Sequence, residues 1–331
     1  MNYGDLIKDA FWLTLRNRYL WFFGFFAGGT SAGGGNFSFP SGGSGGFDDD
    51  NFDDFGEPGQ GDFGGAAPGF DPGRWIFDNL ALILAIVALV ALIVLIFIVM
   101  SLISQGALTE SVAAIDRGES RRFSTAFRAG LFNFWRVLGY YLLFILISLG
   151  FLLAIGVPLA LLAVGVFAGT ESVGARILTV VLAGLVGIAL LIVVFIPLSI
   201  IGQFALRDIV VRRERVVGSI GSGYRLFRRN LGKSLLVWLI QLAVSFGVGI
   251  ALLILFFILA LILSGPGVGL LVANYTALGI PVLIVGGLIF LAPLIVALGA
   301  FGTFGHSYWT LAYLRLVAPA EGATPQPEQG A

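Results

Sequence analysis

Leu80-Ala81-Leu82-Ile83-Leu84-Ala85-Ile86-Val87-Ala88-Leu89-Val90-Ala91-Leu92-Ile93-Val94-Leu95-Ile96-Phe97-Ile98-Val99-Met100 decides the fold class. The stretch is uniformly apolar, and no charge occurs from Asn79 to Thr109. A helix needs roughly 20 such residues to cross the hydrocarbon core of a bilayer. Three further charge-free runs surround it: Val137 to Thr170, Ile177 to Leu206 and Ser234 to Leu314. The last is too long for one span. Its Ser264-Gly265-Pro266-Gly267 is expected to break it, because Gly and Pro continue helices poorly. The expected spans are 79–104, 137–168, 177–205, 235–263 and 281–312. Asp5 to Ala27 is a weaker sixth, with a short aromatic apolar half at Tyr19 to Phe26. A secretory signal peptide is the rival reading of that segment.

The whole composition agrees with this reading. Hydrophobic residues make up 58% of the 331 and charged residues 11%, against about 25% charged in soluble domains. Absent cysteine removes disulfides, thiolate metal sites and thiol nucleophiles. One histidine, His306, leaves little for imidazole catalysis or a zinc cage. Net charge is zero, so no global basic excess points to nucleic acid. The expected class is an all-α integral membrane protein of about six transmembrane helices, with no catalytic residue, metal site or cofactor. It is not expected to be an enzyme.

Lysines and arginines set the orientation. They crowd into 105–136 and 206–234, with Lys8, Arg16, Arg18 and Arg315 near the ends, whereas the intervening connections hold only Arg74 and Arg176. Both termini are therefore expected in the cytoplasm. Residues 1–27 then form a short interfacial or membrane helix, 28–76 a disordered outer loop, 77–315 the polytopic domain and 316–331 a disordered tail. The outer loop is rich in Gly, Phe and Asp, a composition unable to bury a core. Its Asp48-Asp49-Asp50-Asn51-Phe52-Asp53-Asp54 lacks the alternation of a calcium loop.

A faint repeat runs through the chain. Gln105 to Glu110 is echoed by Gln203 to Asp208, and Phe127, Arg128, Asn133 and Arg136 by Tyr224, Arg225, Asn230 and Lys233. Phe11 and Asn17 keep the same aromatic-to-Asn spacing, and Pro197-Leu198 recurs as Pro293-Leu294. The unit is a basic interfacial helix followed by a helical hairpin, three times over, with the first outward helix the shortest. Phe123, Phe127, Leu131, Phe134 and Leu138 mark one apolar face, and Ile220, Tyr224, Phe227, Leu231 and Leu235 its counterpart. Ser120 or Ser124, and Ser219 or Ser222, are candidate caps.

Such helices lie in the headgroup plane. Arg122, Arg128, Arg136, Arg225, Arg228, Arg229 and Lys233 are the candidate contacts to anionic lipid of the cytoplasmic leaflet, the one partner expected. Gln105, Gln203, Gln241 and His306 are the candidate polar positions inside the membrane. Gly218 to Gly223 lacks the Lys-Ser/Thr of a phosphate loop. No span carries a charge deep in its interior, which disfavours a proton pump.

Two stretches carry a resemblance. They are Ala114-Ile115-Asp116-Arg117-Gly118-Glu119 with the following Ala126 to Leu131 and Phe134 to Leu138, and Gly223-Tyr224-Arg225-Leu226-Phe227-Arg228-Arg229-Asn230-Leu231-Gly232. They resemble actinobacterial-type polytopic membrane proteins of unknown function. Those are similar to the membrane domain that precedes the catalytic barrel in some glycerophosphodiester phosphodiesterases. The likeness implies a plasma-membrane helical protein. The motifs are interfacial and no barrel is expected after residue 315, so neither that activity nor any site residue is carried over. The functional expectation is a structural, interaction or lipid-associated envelope protein. The alternative is a transporter or channel for a neutral or lipidic solute.

Overall fold

A computed structural model describes residues 2–31, 77, 79–170 and 172–321. These hold eight helices: α1 (Tyr3–Arg16), α2 (Leu20–Ser31), α3 (Leu80–Asp116), α4 (Phe123–Gly169), α5 (Val173–Val211), α6 (Val216–Arg229), α7 (Leu231–Val272) and α8 (Thr276–Glu321). Five of them, α3, α4, α5, α7 and α8, are long and apolar enough to cross a membrane. Their outward Leu, Ile and Val side chains stay exposed, as lipid-facing groups would. The chain is a multi-pass membrane protein. The expected outer loop, 28–76, lies almost wholly outside the described residues.

The sixth expected span differs. Asp5 to Ala27 is divided at Asn17, whose φ of −112° and ψ of 64° end α1. The 12 residues of α2 reach about 18 Å at 1.5 Å per residue, short of the ~30 Å hydrocarbon core. Two further boundaries move. Pro266 does not break the chain; α7 continues to Val272 and the turn comes at Ala273–Tyr275. A membrane helix tolerates a proline through local backbone adjustment, and one turn earlier Ser264 donates to the Ala260 carbonyl at 2.6 Å. The turn instead uses Asn274 at φ 66°, the left-handed region that Asn tolerates best after Gly. At the other end α8 runs to Glu321, six residues into the expected tail, and 322–331 lie outside the described residues.

Helix starts also differ from expectation. Arg122 and Arg215 precede α4 and α6 without any side-chain cap bond. Ser219 instead donates to the Val216 carbonyl at 2.7 Å, and Ser222 donates to the Asp208 carboxylate. Both serines are already inside the helix, so their hydroxyls serve contacts within and across helices.

The three basic helices bury equivalent positions. Asn17, Asn133 and Asn230 each donate Nδ2–H to the carbonyl four residues back, at 3.0, 3.0 and 3.3 Å. Seven residues before each Asn lie buried Ala10, Ala126 and Gly223; three before lie Thr14, Gly130 and Phe227. Seven after lie Gly24, Tyr140 and Val237, also buried. The copies differ at the Asn itself. Asn17 and Asn230 sit in helix breaks with similar backbone angles, whereas α4 runs straight through Asn133.

Each basic helix packs on the C-terminal part of a long span: α4 on α3, α6 on α5 and α1 on α8. Gly130 of α4 meets α3, where an added Cβ would come within 2.3 Å of the Ile103 carbonyl oxygen. Gly223 of α6 meets α5, 2.9 Å from the Ile201 oxygen by the same measure. Leu6 and Ala10 of α1 join Tyr308, Trp309, Ala312 and Leu316 of α8 in one apolar cluster. The pairing is cyclic: the first basic helix takes the last long span. The packing faces are the small-residue ones. Of the aromatic faces read from periodicity, Phe227 is buried in that apolar cluster, whereas Phe123, Leu131 and Tyr224 stay exposed. Without a hydrophobic gain between helices in lipid, small residues that permit close approach decide the contact.

Candidate functional site

The basic end of the molecule gathers charged groups from several helices, beginning with Asp208. This residue lies one turn from the end of α5 and is 3% exposed. Its carboxylate accepts from the Tyr313 hydroxyl of α8 at 2.7 Å and from Ser222 of α6. Arg212 Nε stands 4.0 Å away. One carboxylate thus joins three helices, since hydrogen bonds to a charged acceptor are about twice as strong as neutral ones. Glu110 occupies the same offset after Gln105 that Asp208 occupies after Gln203. It too accepts from the next basic helix, from Asn133 Nδ2 at 2.7 Å.

A cavity of about 860 Å³ opens above Asp208. Arg212, Arg225, Arg229, Lys233 and Arg315 line it, with Leu226, Leu316 and Val317 on its apolar side. Arg225, Arg229 and Lys233 stand four residues apart, across the Asn230 break, so α6 and α7 together present one row of cations. Arg315 pairs with Asp9 of α1. Of the seven expected lipid contacts, the cavity unites Arg225, Arg229 and Lys233. Arg228 lies outside its lining, and Arg122, Arg128 and Arg136 belong to α4 and the residue before it. Arg136 stacks over the Phe132 ring at 5.8 Å, with Arg213 over the same ring at 5.2 Å. In the connection before α4, Arg117 and Arg121 donate to Glu119 and hold its carboxyl below the usual range.

The polar positions expected inside the membrane are dispersed among helix seams. Gln105 is fully buried and accepts from the Tyr141 hydroxyl across α3 and α4. Gln203 accepts from Arg207 within α5. Gln241 is buried and donates to Ser245 at 3.2 Å in α7. His306 Nε2 lies 3.2 Å from the Ala27 carbonyl of α2. Neither His306 nor Gln241 borders the cavity. His306 belongs to a tight α2–α8 seam, where Thr303 also donates to the Leu20 and Gly299 carbonyls at 3.0 and 2.8 Å. A Cβ on Gly24 would stand 2.1 Å from the Gly299 oxygen, and one on Gly302 2.0 Å from the Gly24 oxygen.

Sequence reading missed Asp208, Tyr313, Arg212 and Arg315 as parts of one site. The signal available was the repeat itself, which puts Glu110 and Asp208 in register. It also placed Arg207 with the loop cations, yet its side chain is wholly buried in α5. Arg207 Nη1 bonds the Gln203 carbonyl at 2.9 Å, while Nε and Nη2 have no hydrogen-bond partner among the described residues. No group of three or more potential metal ligands occurs among the described residues.

No curated protein and no solved structure matches the chain. A match over residues 16–320, spanning every helix from α2 to α7 and nearly all of α8, shows that the chain belongs to the family of unknown function DUF7544.

Proposed function

We propose that this protein is a lipid-associated structural or interaction protein of the bacterial plasma membrane. Its basic end faces the cytoplasm and engages anionic lipid; no reaction is assigned to it. The cation-lined cavity above Asp208 carries this reading. Each Lys or Arg held near an anionic membrane surface gains about 1 kcal/mol, and interfacial aromatic and basic residues fix the depth of the helices. The resemblance to the membrane domain of some glycerophosphodiester phosphodiesterases is in keeping with a protein that works beside phospholipid.

Tryptophan quenching by brominated lipid tests it, because Trp12 and Trp135 are exposed on the basic helices. In reconstituted bilayers, brominated phosphatidylglycerol should quench more than brominated phosphatidylcholine, and the excess should fall with salt. Replacing Arg225, Arg228 and Arg229 by Gln should reduce it. Equal quenching by the two lipids in the parent would count against the reading.

Buried Arg207 favours a second reading, transport of a neutral or lipidic solute, since ionisable groups inside spans commonly mark pathways. Flux of a short-chain fluorescent lipid into liposomes should then fall in Gln203→Leu and Gln241→Leu. Unchanged flux, or none in the parent, would sink it.

A further inference from the structure

We infer that the cavity between α5, α6 and α8 is a discrete site for a ligand bearing two phosphoryl groups, presented by a membrane lipid. This rests on the anionic-lipid reading and deepens it, because surface attraction needs neither a cavity nor a preferred headgroup.

The charges lead to it. Asp208, the acid lining the cavity, has its carboxylate occupied by Tyr313, Ser222 and Arg212. It holds the walls together and leaves the outer row unneutralised. Arg315 is engaged by Asp9. Arg225, Arg229 and Lys233 remain exposed, with no ion pair or hydrogen bond among the described residues. A single phosphodiester balances one of these three cations. Two phosphates on one molecule match the row far better, and the second contact forms at the high effective concentration set by the first.

Depth and shape choose the lipid source. Lys233 is the last charge before the uncharged run 234–314, and Arg315 is the first after it. The cavity therefore opens at the level where the apolar region ends, the level of headgroups. Leu226, Leu316 and Val317 give it an apolar side suited to a glycerol backbone and the start of an acyl chain. A volume of about 860 Å³ lies within the ~300–1,000 Å³ typical of small-molecule sites. A second pocket, around Glu110, Arg117 and Arg213, encloses only about 100 Å³. α4 is continuous through Asn133, whereas the backbone breaks at Asn230 between α6 and α7, and Asn230 itself lines the larger cavity.

The test is thermal unfolding of the full chain in a zwitterionic detergent, titrated with cardiolipin, with phosphatidylglycerol at equal phosphate, and with inorganic pyrophosphate. A ligand that binds the folded state raises Tm with its concentration. Cardiolipin should give a saturable rise at a concentration about tenfold or more below that of phosphatidylglycerol, with pyrophosphate weaker still. Arg225→Gln/Arg229→Gln/Lys233→Gln should erase the difference, and the triple Lys-for-Arg control at Arg225, Arg228 and Arg229 should keep most of it. Arg122→Gln/Arg128→Gln/Arg136→Gln should retain it. Equal midpoints for the two lipids would overturn this inference and leave the anionic-lipid reading standing. No rise with either lipid would overturn both. Pyrophosphate as tight as cardiolipin would overturn the lipid source, and displacement of cardiolipin by poly-glutamate at equal charge would point to an acidic protein instead.

Discussion

Asp208 shows how much one side chain can hold in a membrane protein. It draws donors from α6 and α8 onto α5, in a place where a carboxylate without them would be costly. Asp208→Ala is therefore expected to remove the acceptor that Tyr313 and Ser222 share, leaving Ser222 only the Ser219 carbonyl, and to lower stability by about 2–4 kcal/mol. Exposed Glu119→Ala is the comparison, and its Tm in detergent should barely move. The glycines act through space rather than charge. Gly130→Val must push α4 off the Ile103 carbonyl, which should cost about 1–3 kcal/mol. Gly232→Val, with nothing within 4 Å of its added Cβ, should cost less, and equal losses would refute the contact. Asp208 was legible only through its register with Glu110, because an acid beside a row of arginines reads locally as loop charge. Gly130 was not legible: a hydropathy period weights Phe and Leu, and passes over the residues that let backbones touch.

Among elements, α2 is the least expected. Its described residues are too few to span alone, and its place is kept by Gly24, Gly28, Gly299 and Gly302 together with the bonds from Thr303 and His306. Gly302→Leu should detach it, giving a lower Tm and faster proteolysis after Arg18; a stable, protease-resistant variant would contradict the seam. The α7–α8 turn gives a contrasting case. Pro266 lies inside a continuous helix, so Pro266→Ala should be neutral or mildly stabilising, whereas Asn274→Val places a β-branched residue at φ 66° and should cost about 1–3 kcal/mol. The five long spans were readable because a charge-free run of such length has few other solutions. The turn was not, since Pro and Gly are punctuation in water but tolerated inside a membrane helix. The α1 and α6 helices were readable from their basic residues and their Asn, though which face each would bury was not.

At the scale of the molecule, a chain with zero net charge is a sorted one. Most of its cations lie near the C-terminal ends of α3, α5 and α8 and on the three basic helices, and the cyclic packing of those helices concentrates them. The Asn-centred correspondence ties the three copies together, and the cavity lies beside the break at Asn230 and its cation row. This account stands on the cation-rich end facing the cytoplasm. The absence of native cysteine makes one measurement direct: labelling of Arg228→Cys and Ala273→Cys, each alone, with a membrane-impermeant maleimide in intact bacteria. Ala273→Cys should label in intact cells and Arg228→Cys only after permeabilisation. Labelling of Arg228→Cys in intact cells, or the same accessibility at both positions, would contradict the account.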